Sequence, residues 1–314
     1  MNILWKKWLQ EHMGWTKNVI IPGFDGIPLY DIAIFFWYGI VNSSLNMRAS
    51  SFSFNFFLSL FPTIIFIFTL LPYIPVPHLQ EELLQLIRNI TSDHIYPSVE
   101  AVILDTINRP RGGLMPMGFL LALFFSTMGI NSLINAFNQT AHDVASRGFF
   151  RQQLISLVLV FTVSGIVGIA ILLLTIGPLL IDFLVKYGFL TGGALTICLL
   201  EGLRWLIIVA MFLFAFSFLY YLGSPRKNKF RFISAGSMLS TILTIAIWLS
   251  LRFYLTYFSY YNTLYGSIGT LMIIMIWINF NGLAIIIGFE LNASILAGTR
   301  QRVRRHGRRF FGWS

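Results

Sequence analysis

The sequence predicts an all-α, polytopic membrane protein with six transmembrane helices, an extra amphipathic N-terminal helix and an outer amphipathic helical loop. Three observations predict it. Of 314 residues, 56% are hydrophobic and only 11% charged, with a mean hydropathy of +0.75, whereas soluble domains are about a quarter charged. The apolar residues gather in runs of about twenty or more, the length a helix needs to cross a hydrocarbon core of about 30 Å. The basic residues fall unevenly about those runs. A water-soluble globular enzyme is excluded.

Each element follows from its residues. In residues 1–47, Trp5, Lys6, Lys7 and Trp8 precede no compact apolar core with a small-residue cleavage site, so this segment is read as part of the mature chain. Tyr30 to Val41 is apolar and aromatic but, at 12 residues, too short to span, and it runs into Asn42, Ser43 and Ser44. It reads as an interfacial helix feeding the first span. Apolar runs bounded by charge, Pro or Gly then place spans at 50–72, 115–137, 153–176, 200–222, 232–257 and 267–296, within a membrane domain of residues 48–298. In the outer loop at 73–113, leucines and isoleucines recur three and four residues apart in LQEELLQLIRNI and VEAVILDTI, which predicts amphipathic helices. The stretch IGPLLIDFLVKYGFLTGG carries Gly and Pro at both ends, leaving a broken or re-entrant element open. Phe258 to Tyr265 reads as a short aromatic interfacial hairpin, and residues 299–314 as a basic tail.

Orientation comes from charge. With a cytoplasmic N-terminus, sixteen of the 22 basic residues fall on that side: Lys6, Lys7, Lys17, Arg48, Arg147, Arg151, Arg226, Lys227, Lys229, Arg231 and the six of the tail. Only Arg88, Arg109, Arg111 and Lys186 fall opposite, with Arg204 and Arg252 in or at the edge of spans. The positive-inside rule therefore places both termini in the cytoplasm. Six arginines after the last span, Arg300, Arg302, Arg304, Arg305, Arg308 and Arg309, read as an anchor on anionic lipid headgroups rather than a specific nucleic-acid site.

Polar groups at depth are the candidates for function, because a charge at the centre of a span costs about 2.5–3.5 kcal/mol on insertion scales. On span one, Ser44, Arg48, Ser51, Asn55, Ser59 and Pro62 share a sector of roughly 80° at the helical repeat. Asn131, Asn135, Asn138 and His142 form a second stripe, four polar groups that need partners or water. On span six, Asn279, Ile286, Glu290 and Ser294 share one face, while Asn281, Gly288 and Asn292 share the other. An ion pair between Glu290 and Arg48 is geometrically available, either as a structural clamp or as a gate. Glu201 and Arg204, three residues apart, suit a local structural pair, and Arg252 suits snorkelling to the outer interface. One cysteine and five scattered histidines predict neither a disulfide nor a metal site, and no cofactor is expected.

With those motifs in view, the chain resembles the YihY/BrkB family of membrane proteins, also labelled ribonuclease BN-like. The resemblance runs from about Trp37 to Ala297 and rests on Arg48 to Pro62, on Gly129 to Ala141, and on the tract from Tyr265 through Gly288, Phe289, Glu290, Leu291, Asn292 and Ala293. It implies a six-span protein of the bacterial inner membrane with cytoplasmic termini. The basic loop fits more loosely, without the proline expected shortly before Gly236. The functional expectation is a transporter of an anionic or amphiphilic solute or lipid, using a polar cavity open to the cytoplasm and lined by Arg48, Ser51, Asn55, Ser59, Asn131, Asn135, Asn138, Asn279 and Glu290. A non-transporting membrane scaffold is the alternative. Against a ribonuclease stands the lack of clustered carboxylates or histidines in the cytoplasmic segments, which hold only isolated Glu11, Asp25, Asp31 and Asp143. Membrane lipids, including anionic ones, are the expected partners, and a homo-oligomer is left open.

Overall fold

A computed structural model describes residues 28–42, 44–70, 114–140, 143–144, 147–186, 194–224, 230–257 and 260–310. The helices are α1 (Leu29–Asn42), α2 (Leu45–Leu70), α3 (Leu114–Asn138), α4 (Phe149–Lys186), α5 (Ala194–Gly223), α6 (Ala235–Tyr257) and α7 (Tyr260–Phe310). After α3, Gln139–Thr140 pairs antiparallel with Asp143–Val144 in a two-residue ladder. Six stretches are long and apolar enough to cross a membrane: Leu45–Phe66, Pro116–Asn138, Phe149–Ala170, Gly202–Gly223, Ala235–Leu255 and Leu271–Thr299. The exposed side chains on these stretches include Phe54, Phe124, Phe161, Leu206, Ile242 and Phe253, an apolar surface suited to acyl chains.

Three expectations change in detail. Helix α4 runs unbroken through Gly177 and Pro178 to Lys186, because in apolar surroundings a helix satisfies most of the backbone's polar groups even where proline removes one donor. The tyrosines expected in a hairpin, Tyr260, Tyr261 and Tyr265, lie in the opening turns of α7. The helix of the last span continues past Thr299 through the tail to Phe310. The outer loop at 73–113 lies outside the described residues.

The chain divides into two compact units, residues 54–129 and the remainder. In the smaller one, the C-terminal part of α2 lies against α3. A Cβ on Gly118 would stand 3.6 Å from the Phe66 backbone, one on Gly129 3.5 Å from that of Phe56, and the Phe66 and Phe119 rings meet at 5.3 Å. Pro62 lies inside α2, flanked by hydroxyls that bond back into the helix: Ser59 donates to the Phe56 carbonyl at 2.6 Å and Thr63 to that of Ser59 at 2.7 Å. Such side chains let proline sit within a spanning helix.

The larger unit is built on the seam between α6 and α7. A Cβ on Gly236 would overlap the Gly288 carbonyl, and one on Gly288 would overlap the Ser240 hydroxyl, so both positions require glycine. Small residues bring the two backbones close enough for side chains to bond across, as in membrane helix pairs generally. The hydroxyls of Tyr220 (α5) and Ser240 lie 2.5 Å apart, with the Ile285 carbonyl 2.8 Å from the first and the Ala284 carbonyl 2.9 Å from the second, so their two protons are shared among three short contacts. Asn292 accepts from the Gly236 amide at 2.9 Å and donates to Ser234 at 3.1 Å. Helix α1 joins this unit through Ile32, which packs with Ile295, Leu291 and Ala235.

Gly236→Ala and Gly288→Ala should each lower stability by about 1–3 kcal/mol, the usual cost of overpacking. Gly165→Ala, where a Cβ meets nothing within 4 Å, should lose none. Denaturation of the three purified variants in one detergent measures the contrast.

Candidate functional site

The candidate site lies where α2 begins, α3 ends and the middle third of α7 passes. Arg48 and Glu290 meet there, with Nη1 3.7 Å from Oε2 and side chains 3% and 0% exposed. The first turn of α2 delivers Arg48 to this point, and a second guanidinium nitrogen donates to the Ala136 carbonyl in the last turn of α3. Two negative features therefore hold one cation: a carboxylate and the carbonyl end of a helix. On the remaining side stands α1. A Cβ on Gly39 would come within 2.5 Å of Glu290 Oε1 and 2.8 Å of its Cγ, so the bare backbone of α1 lies directly against the acidic side chain.

The residues next to Ala136 and Glu290 in sequence carry aromatic rings that pack together. Phe137 stacks on Phe289 at 4.1 Å and 12°, and Tyr220 meets both edge-on at 5.7 and 5.8 Å. The α2/α7 seam continues with Phe52 against Gly282, where a Cβ would stand 2.7 Å from the ring, and with Asn279 donating to Ser50 at 3.1 Å.

The other sequence candidates divide among different settings. Asn131 donates to Gln153 at 2.5 Å and accepts from Ser156 at 2.7 Å, and the exposed Asn135 accepts from Gln152 at 2.7 Å. These bonds join α3 to α4. Asn138 is 8% exposed, and no described group donates to its Oδ1. Ser51 is exposed. Asn55, half-buried, and Ser59 belong to the smaller unit, where the Ser59 hydroxyl bonds within its own helix. The Glu201 side chain and those of Arg300, Arg302, Arg304, Arg305, Arg308 and Arg309 lie outside the described residues, while Arg204 is exposed. Among the described residues no three His, Cys, Asp or Glu side chains gather as a metal site.

Gly39, Gln152, Gln153, Ser156 and the Ala136 carbonyl are partners of the candidate residues that sequence reasoning missed. Away from the site, Arg147 donates to the Leu222 carbonyl at 2.8 Å and to that of Ser224, closing the C-terminal end of α5. Burial, and then the neighbouring Arg151, lower its pKa from the ordinary guanidinium value.

A family described as virulence factor BrkB matches residues 36–309. The chain belongs to that family of membrane proteins. Among its relatives, the ribonuclease-like protein YfkH of Bacillus subtilis (strain 168) is 31% identical over 78% of this chain and 88% of that protein. A UPF0761 membrane protein of Aggregatibacter aphrophilus (strain NJ8700) is 22% identical over 84% of this chain and 91% of its own length. Another, from Haemophilus influenzae (strain 86-028NP), is 22% identical over 86% and 96%. No solved structure matches.

Breaking a buried pair from one side strands a charge, so Arg48→Met and Glu290→Leu should each cost about 3–5 kcal/mol, whereas an apolar exchange of both partners should come close to neutral. A double-mutant cycle on purified protein, read by unfolding in detergent, should give a coupling of several kcal/mol; additive losses would contradict the geometry.

Proposed function

We propose that the protein is a membrane transporter for an anionic or amphiphilic solute or a lipid, and that the Arg48–Glu290 pair is the latch of its closed form. One observation carries this reading: a complete ion pair buried between helices long enough to span. Taking both charges out of water costs several kcal/mol, and well-packed apolar side chains would often be as stable or more so. Ionisable groups inside spans characteristically mark substrate or ion paths.

Parting the pair frees a guanidinium, a planar donor matched to carboxylate or phosphate, among low-dielectric walls that strengthen its attraction. The amides of Asn131, Asn135, Asn138 and Asn279 and the hydroxyl of Ser51 are the additional polar groups of the path. Because Gly39 rests on the Glu290 side chain, opening requires α1 to move away. The charge bias makes this the cytoplasmic end, with both termini in the cytoplasm and the arginine tail on anionic headgroups of a bacterial cell membrane. The sequence contains no nucleotide-binding loop, so an ion gradient or a partner protein supplies any energy.

The test is flux into or across proteoliposomes of purified protein, with small organic anions and fluorescent phospholipids as probes. The parent should move at least one class. The Arg48→Met/Glu290→Leu double variant should stay folded yet lose the flux at least tenfold. A folded parent inert to every probe, or a double variant as active as the parent, would overturn the reading.

A further inference from the structure

Where α4 begins, α5 ends and α6 begins, the chain gathers cationic and aromatic groups that the proposed transport path does not use. Three uncharged runs stop at this level: residues 152–181 after Arg151, 205–225 before Arg226 and 232–251 after Arg231. Each is long enough to cross a hydrocarbon core. Contacts bring their ends together. Arg147 donates to the Leu222 and Ser224 carbonyls, Ser217 donates to the Phe232 carbonyl at 2.7 Å, and the Tyr221 and Phe230 rings meet edge-on at 5.5 Å. Three charge boundaries at one level mark an edge of the hydrocarbon core.

The two arginines of α4's entry differ in what they do. Arg147 is partly buried and committed to the carbonyl end of α5, whereas Arg151, in the first turn of α4, is exposed. Neither forms an ion pair with a described side chain. Asp143, the acid nearest in sequence, has its side chain outside the described residues. Repulsion is what the two cations share: after burial, the charge of Arg151 lowers the Arg147 pKa. Between them in sequence, a Cβ on Gly148 would meet nothing within 4 Å. Phe149 and Phe150, next along the chain, are 75% and 86% exposed, their rings edge to face at 5.6 Å. From Phe150 an exposed apolar stripe continues along α4 through Leu154, Val158 and Phe161, at helical spacing.

We infer that Arg151, with the charge of Arg147 behind it and Phe149 and Phe150 beside it, forms a site for the phosphate of an anionic phospholipid. The argument for that occupant is charge together with position. Two like charges without an acid are relieved by an anion set against them, and the guanidinium fork matches phosphate oxygens. The anions concentrated at the edge of the hydrocarbon core are lipid phosphodiesters. Their acyl chains would lie along the stripe of Phe150, Leu154 and Val158, which a soluble phosphate would leave unused. A headgroup ammonium would be repelled by Arg147, which favours phosphatidylglycerol over phosphatidylcholine. Residues of the proposed transport path take no part, so the two readings stand or fall separately.

Native mass spectrometry of the purified full-length chain, with added phosphatidylglycerol, phosphatidylcholine or diacylglycerol, tests the inference. The parent should retain phosphatidylglycerol about fivefold more than either other lipid, the worth of one basic group beside an anionic headgroup. Arg151→Gln should remove about one bound phosphatidylglycerol per chain, and Phe150→Ser should weaken its retention several-fold. Arg204→Gln, which changes an exposed arginine toward the other end of α5, should retain it like the parent, as should the Arg48→Met/Glu290→Leu chain. The Arg151 and Phe150 variants change exposed groups, and an unchanged melting temperature checks their fold. Equal retention of phosphatidylcholine or diacylglycerol, undiminished phosphatidylglycerol on folded Arg151→Gln, a loss on Arg204→Gln as large as on Arg151→Gln, or displacement of the lipid by millimolar glycerol phosphate would overturn it.

Discussion

A charge removed from water must meet its opposite, and in a bilayer no solvent stands by to supply one. The start of α2, the end of α3 and the middle third of α7 answer that constraint together. Arg48 is held by the Glu290 carboxylate and by a carbonyl in the last turn of α3, so one side chain ties three helices. Once the cation is fixed, neighbouring choices follow. The residue of α1 facing the carboxylate has no side chain, because a methyl group at Gly39 would occupy the place of the acid. Next to Ala136 and Glu290 in sequence, Phe137 and Phe289 stack on each other and meet Tyr220, joining α3, α5 and α7 without adding charge.

Polar bonding elsewhere follows the same economy. Tyr220, Ser240 and Asn292 bond to carbonyls, amides or hydroxyls of adjacent helices, and the glycines at 236 and 288 permit the approach that makes those bonds short. Helix association in lipid has little hydrophobic driving force, since acyl chains are as apolar as leucine. Close backbone contact and hydrogen bonds must supply the attraction, and the α5, α6 and α7 seam contains both.

Much of this was readable from residues alone. Apolar run length gave the six spans to within a few residues, because the hydrocarbon thickness imposes a length on them. The meeting of Arg48 with Glu290 was readable because each is an expensive group near the same end of its span. What escaped was whatever depends on azimuth between helices. Nothing in the spacing of Asn131 and Asn135 points to Gln152 and Gln153, which look like an ordinary polar entry to α4. Gly39 carries no chemical signal, since its importance is that it lacks a side chain beside Glu290. The Ala136 carbonyl is invisible to any reading of side chains. Gly177 and Pro178 misdirected for the converse reason: local breakers are overruled where unsatisfied backbone would cost more than one missing bond.

The joint between α1 and α2 holds one residue in an unusual state. Ser44 has φ of 43°, in the left-handed region where a side chain is crowded by the carbonyl that follows. That conformation costs roughly 1–2 kcal/mol in a residue with a side chain, a cost that the seating of α1 on α7, through Ile32 with Ile295 and Gly39 against Glu290, has to offset.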